Sequence, residues 1–220
     1  MRLLSTLTAL AGLASLAHGQ SAQLQQVSGF NAGPTRAQMY VYLPPNRQAK
    51  PPILLAIHYC SGTGQQYFQN TPYARAADQY GFIVIYPSSP NSGTCWDVAS
   101  TQSLTHNGGG DSKTIVNMVA YAVANYNGDP DRVYATGTSS GAMMTNVLAG
   151  AYPDIIKAGS AYSGVPDGCF FVQGATPATN PPGWNSQCSG GTLIKSAQAW
   201  GDQVRSYYPG YTGSYPKMAM

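Results

Sequence analysis

The stretch Arg132-Val-Tyr-Ala-Thr-Gly137-Thr-Ser139-Ser-Gly141-Ala-Met-Met-Thr-Asn146 decides the fold of this chain. It begins as an apolar strand, passes through Gly-x-Ser-x-Gly, and continues into a helix-forming run. A strand that feeds a helix through such a turn places the serine on a sharp corner. The flanking glycines remove Cβ clashes, and the hydroxyl stands clear at the carboxyl edge of a sheet. In a chain with 25 glycines the five-residue pattern alone is weak. Its strand-turn-helix setting makes Ser139 a candidate nucleophile for acyl transfer.

Outward from that corner, strands and helices alternate. Apolar runs at 39–43, 52–58, 82–86 and 131–137 predict strands, the last three buried on both faces. A fifth short strand follows at 158–164. Helices are predicted over 72–80 with Gly81 as the stop, over 113–126, over 140–151 and over 194–207. In the second of these, Ile115, Met118, Val119, Ala122 and Val123 form an apolar stripe, and Asp111 or Ser112 is the expected cap. Pro87 is the expected end of the strand at 82–86. The segments 61–71, 87–110 and 165–191 read as loops, and 215–220 as the start of one more strand. Alternation of this kind gives a mostly parallel sheet covered on both faces, an α/β class.

Composition narrows the class further. Residues 1–19 read as a secretory signal peptide: Arg2, an apolar run over 3–17, and Ala17-His18-Gly19 as the cleavage site before Gln20. The rest, 20–220, reads as one domain. The formal charge is +3, or +2 without Arg2, with no block of like charge, so neither nucleic acid nor a membrane is an expected partner. All eight acidic residues are aspartate. The lack of glutamate and of any marked aspartate pair argues against a glycosidase. Cys60, Cys95, Cys169 and Cys188 in a secreted chain imply two disulfides, and of the three possible pairings Cys60–Cys95 and Cys169–Cys188 close local loops. No Cys-x-x-Cys or His-Glu-x-x-His occurs, so no metal and no cofactor is expected.

The oxyanion hole is expected from the Ser140 N–H and from Tyr59 or Cys60 in the loop after the strand at 52–58. The base is the difficulty. His18, His58 and His106 all precede Ser139. His58 closes a core strand and reads as a hydrogen-bonded structural histidine, and His106 as a shaper of the loop before the next helix. Asp154, Asp167 and Asp202 follow Ser139, yet none directly follows a buried strand as a triad acid should.

Several stretches together carry a family resemblance: Ala56-Ile-His-Tyr-Cys-Ser-Gly-Thr-Gly, Gly81-Phe-Ile-Val-Ile-Tyr-Pro-Ser-Ser-Pro, Thr105-His-Asn-Gly-Gly-Gly-Asp-Ser, the elbow itself and Tyr162-Ser-Gly-Val-Pro-Asp-Gly-Cys. Over nearly all of 28–218 the chain resembles the fungal acetylxylan esterases of the first carbohydrate esterase family, relatives of feruloyl esterases and of polyhydroxybutyrate-depolymerase-like esterases. The resemblance implies an α/β-hydrolase fold, secretion, and acetylated xylan as substrate; the expected state is a monomer. It places Ser139 at the nucleophile and the four cysteines at bridged positions. It also implies that the triad aspartate and histidine follow a strand entered at Pro216-Lys217-Met218. On that reading the domain is incomplete at its C-terminus, its last strands are missing, and the 220-residue chain is inactive or nearly so. Feruloyl esterase is the alternative activity. A non-catalytic carbohydrate-binding remnant, using Trp96, Trp184 or Trp200 as sugar platforms, is the alternative of another class.

Overall fold

A computed structural model describes residues 23–175 and 184–220. The proposed signal peptide and residues 176–183 of the long loop lie outside the described residues. In chain order the elements are β1 (Gln25–Val27), β2 (Gln38–Tyr42), β3 (Ile53–Ile57), α1 (Gly64–Asn70), α2 (Tyr73–Tyr80), β4 (Ile83–Ser88), α3 (Thr101–Leu104) and α4 (Asp111–Tyr126). The elbow region supplies β5 (Val133–Thr138) and α5 (Ser140–Ala151). Then come β6 (Ala158–Tyr162), α6 (Ser186–Ser189), α7 (Ala197–Arg205) and β7 (Lys217–Ala219).

The seven strands form one sheet in the order β1-β2-β4-β3-β5-β6-β7. β1, β2 and β4 pair antiparallel. From β4 through β3, β5, β6 and β7 every pairing is parallel. The central strands are covered on both faces because their side chains alternate. Ile53, Leu55, Ile57, Ile83, Ile85, Val133 and Ala135 point to the side of α4 and α5, where they join Ile115, Met118, Met144 and Leu148 in the main core. Ala56, Val84 and Tyr86 point to the other side and meet Tyr67 of α1 and Ala77 of α2.

The sheet and its main helices follow the pattern of the sequence, and the differences have local causes. The 61–71 loop contains α1, because Thr63 is a capping residue whose Oγ1 accepts the Gln66 N–H at 3.1 Å. Thr-x-x-Gln is the capping-box spacing. β4 does not stop at Pro87 but runs to Ser88. β3 pairs with β4 only as far as Ile85, so a residue without an N–H costs no bond on that side. The 87–110 loop holds a 3₁₀ turn at Ser92–Thr94 as well as α3. Gly110, rather than Asp111 or Ser112, is the cap of α4. Asp111 lies inside the first turn and is buried, with Oδ2 accepting from the Asn91 side chain at 3.0 Å and from the Asp97 N–H at 2.9 Å. It ties two loop positions to the helix instead of capping it. β1 carries no alternating apolar pattern and exists through its pairing with β2.

Candidate active site

Ser139 sits between the last residue of β5 and the first of α5 with φ 54° and ψ −120°. This region is disfavoured for a residue with a Cβ, and such strain is held only where surrounding structure over-determines it. Here the Ser139 N–H donates to the Tyr162 carbonyl at 2.9 Å, and the Ser139 carbonyl accepts the Met143 N–H at 3.0 Å. The two glycines are required by contact. A Cβ on Gly137 would run into the carbonyl of Gly141, and one on Gly141 into the carbonyls of Ile57 and His58. The close approach sets the elbow directly on the end of β3 and the loop that follows. Ser139 itself is exposed.

Ser140 opens α5, so its N–H has no carbonyl partner in the preceding turn. Its side chain is buried, and its Oγ accepts the Trp96 N–H at 2.9 Å. Across from it, the Tyr59 carbonyl accepts from Gly62 N–H at 3.1 Å and lies 2.7 Å from His58 Nδ1. His58 Nε2 accepts the Ser89 N–H at 3.0 Å. A nitrogen that accepts is unprotonated, so Nδ1 carries the hydrogen and donates it to Tyr59. Burial holds this imidazole below the ordinary histidine range, the Tyr59 carbonyl pulling the other way. His58 is thus a neutral structural group with both nitrogens engaged. Its neighbour is fixed by the Cys60–Cys95 disulfide, and Cys169–Cys188 forms the second bridge.

The other candidates fall away from the elbow. His106 Nδ1 is 2.8 Å from the carbonyl of Ala151, at the far end of α5, and its ring stacks on Tyr208 at 3.6 Å. At 1.5 Å per residue, that end lies about 18 Å from Ser139. Asp154 adjoins the same end, 4.0 Å from His106. Asp202 is on the surface of α7 and pairs with Arg205 at 2.5 Å. Asp167 lies in the loop after β6 with both carboxyl oxygens buried and without a hydrogen-bond partner, and burial pushes it up to about 7.

Trp96 is not a sugar platform: it is buried, and its indole N–H donates to the His58 carbonyl at 2.9 Å. Trp184 is exposed, and Trp200 is partly buried under the ammonium of Lys195 at 4.4 Å. Nothing in the sequence pattern marked out Tyr67, which lies on the unexpected helix α1. Its hydroxyl is 3.0 Å from the Thr138 hydroxyl, one residue from Ser139, and burial pushes it up to about 12. Among the described residues no group of three or more His, Cys, Asp or Glu side chains could hold a metal ion. No helix among them is long and apolar enough to cross a membrane.

A mostly parallel sheet between helices, with a strained serine at the central strand-to-helix corner, is the architecture of the α/β-hydrolase class. Residues 38–211 match the Esterase PHB depolymerase family, and the chain belongs to it. It is 50% identical over 228 aligned residues to the probable acetylxylan esterase A of Aspergillus fumigatus, covering 99% of this chain and 60% of that protein. To the acetylxylan esterase A of Emericella nidulans it is 53% identical over 196 residues, covering 89% of this chain and 63% of that one. The solved acetyl xylan esterase from Aspergillus awamori superposes with a TM-score of 0.84 at 49% identity, covering 89% of this chain and 70% of that chain. The chain therefore spans about 60% of the length of the curated relatives it matches.

Proposed function

We propose that this chain is the nucleophile-bearing part of a secreted, monomeric serine esterase that removes acetyl groups from xylan. The observation that carries the reading is the backbone of Ser139, held at φ 54° with its side chain in the open. The relatives' names support the acetyl ester as the bond attacked and xylan as its carrier. Ser139 Oγ adds to the acetyl carbonyl, the N–H of Ser140 and that of Tyr59 or Cys60 receive the oxyanion, the sugar hydroxyl departs, and water releases acetate from the acyl-serine. Feruloyl ester hydrolysis is the alternative activity.

The base must come from outside the described histidines, since His58 has both nitrogens engaged and His106 stands at the opposite end of α5. The family resemblance assigns that base, and the acid that orients it, to the part of the fold that follows the strand entered at Pro216. With no base offered by these two histidines, the chain by itself is proposed to turn over esters very slowly, because removing the base of a serine hydrolase costs about 10⁶ in kcat. The same observation favours a second reading, a non-catalytic chain that binds polysaccharide. Acetate release from acetylated xylan, ferulate release from methyl ferulate, and retention on insoluble xylan are measured for the chain and for Ser139→Ala. Slow, Ser139-dependent acetate release supports the esterase. Fast turnover that survives in Ser139→Ala sinks the assignment of the nucleophile. Retention on xylan with no Ser139-dependent chemistry selects the binding role.

A further inference from the structure

We infer that Trp96 is a positioning residue for the oxyanion hole, fixing the distance between the elbow and the Tyr59–Cys60 loop. The inference rests on the esterase reading of Ser139. Trp96 holds both carriers of the proposed donors. Its main-chain N–H donates to Ser140 Oγ at 2.9 Å, and its indole N–H donates to the His58 carbonyl at 2.9 Å. The two sides also touch through the close backbone approach of Gly141 to His58, and Tyr67 joins the Thr138 hydroxyl to the ring of Tyr59, but neither contact holds the His58 carbonyl and Ser140 Oγ as Trp96 does.

Planarity carries the positioning into the loop. In a trans peptide the C=O and the following N–H point in opposite directions. Holding the His58 oxygen therefore aims the Tyr59 N–H. Holding the Tyr59 oxygen, through His58 Nδ1–H and the Gly62 N–H, aims the Cys60 N–H. Whichever of the two meets the oxyanion, its direction is set by a bond that Trp96 or its neighbour His58 makes. On the opposite side, the bond to Ser140 Oγ fixes the first residue of α5 and with it the second donor.

Trp96 is itself immobilised. It is buried, its ring lies 5.0 Å from that of His58, its predecessor is bridged to Cys60, and its successor's N–H is bound by Asp111. Tryptophan suits the position because it places a lone N–H donor at the edge of a large apolar plate. Oxyanion donors act through pre-set direction, so a shift of a fraction of an ångström is felt in the rate and not in ester binding.

The test needs no enzymatic base. In alkaline buffer hydroxide takes the Ser139 proton as water, Oγ bonds to the acetyl carbon of p-nitrophenyl acetate, and p-nitrophenolate leaves with the electron pair. Acetyl-Ser139 is followed by mass spectrometry against ester concentration. Trp96→Phe keeps the plate and removes the N–H. Ser140→Ala, a smaller change, severs the other arm and serves if the first variant folds poorly. Each is expected to lower the saturating rate constant for acetylation about 10- to 100-fold. The half-saturating ester concentration and the final labelled fraction stay as in the parent. Simple loss of folded protein would lower the labelled fraction instead, and Val119→Ala in α4, a destabilised control, keeps the parental rate constant. Parental rate constants in both Trp96→Phe and Ser140→Ala overturn the inference while leaving the esterase reading intact. If no acetyl group accumulates on Ser139 of the parent, the nucleophile reading fails and the role of Trp96 falls with it.

Discussion

Replacing Asp167 with asparagine should stabilise the protein, and by an amount that depends on pH. Both carboxyl oxygens are buried and lack a hydrogen-bond partner, and no cation pairs with the group among the described residues. Oδ2 packs against Gly150, where an added Cβ would displace it. Burial raises the group from 3.8 to about 7, and the nearby Gly168 N–H softens that rise without reaching bonding geometry. The folded state thus holds more protons than the unfolded state between those two values, and stability falls as pH rises across that window. At about 1.4 kcal/mol per pKa unit, the carboxylate costs about 4 kcal/mol above pH 7 but only about 2 kcal/mol at pH 5. Asparagine has nearly the same shape and no charge. Any penalty for its own unpaired amide is the same at both pH values and cancels in the comparison. Asp111, raised to about 6, titrates equally in both proteins and also cancels. The gain from Asp167→Asn should therefore be about 3 kcal/mol larger at pH 8.5 than at pH 5. Urea unfolding followed by tryptophan fluorescence at the two pH values measures it. A gain that is equal at both pH values, within about 0.5 kcal/mol, would refute the claim that this carboxyl is dry and unpaired.

Two further outcomes follow from the packing around the elbow. Gly141→Ala forces a methyl into the carbonyls of Ile57 and His58, so the elbow must move off β3. A loss of about 2–3 kcal/mol in urea unfolding is expected from overpacking of this kind, together with loss of Ser139 acetylation. Removing the Cys60–Cys95 bridge with two serines opens a loop of sequence separation 35, which the chain-entropy relation converts to about 4 kcal/mol. Chemical denaturation under non-reducing conditions checks the figure, and an unchanged midpoint would refute it.

The fold was largely legible because each central strand is an unbroken apolar run between punctuating residues. Ile53–Ile57 follows two prolines, and Ile83–Ser88 follows Gly81, whose φ of 74° ends α2 as expected. α5 was legible from its elbow. What escaped depends on partners or on short signals. β1 is defined by pairing with β2, which no local pattern announces. α1 was announced only by Thr63 and Gln66, an easily overlooked capping box in a Gly-rich stretch. The strained elbow at Ser139 was legible because its glycine spacing leaves a mark in the sequence. Trp96 was misplaced among the sugar-binding candidates because an indole can bury its N–H or display its face, and only the three-dimensional position of the His58 carbonyl decides. His58 was correctly read as structural, since a histidine closing an apolar strand has little room to be anything else.

The backbone at Ser139 sets two demands against each other at one position. Its φ of 54° and ψ of −120° are angles that glycine adopts freely and serine adopts at a cost of about 1–3 kcal/mol. For folding alone the preferred residue at 139 is therefore glycine, whereas the proposed nucleophile role asks for the hydroxyl. Under the proposed nucleophile role, a selection for thermal robustness alone would drift toward an inert protein at this site, and the hydroxyl would persist only under selection for its chemistry.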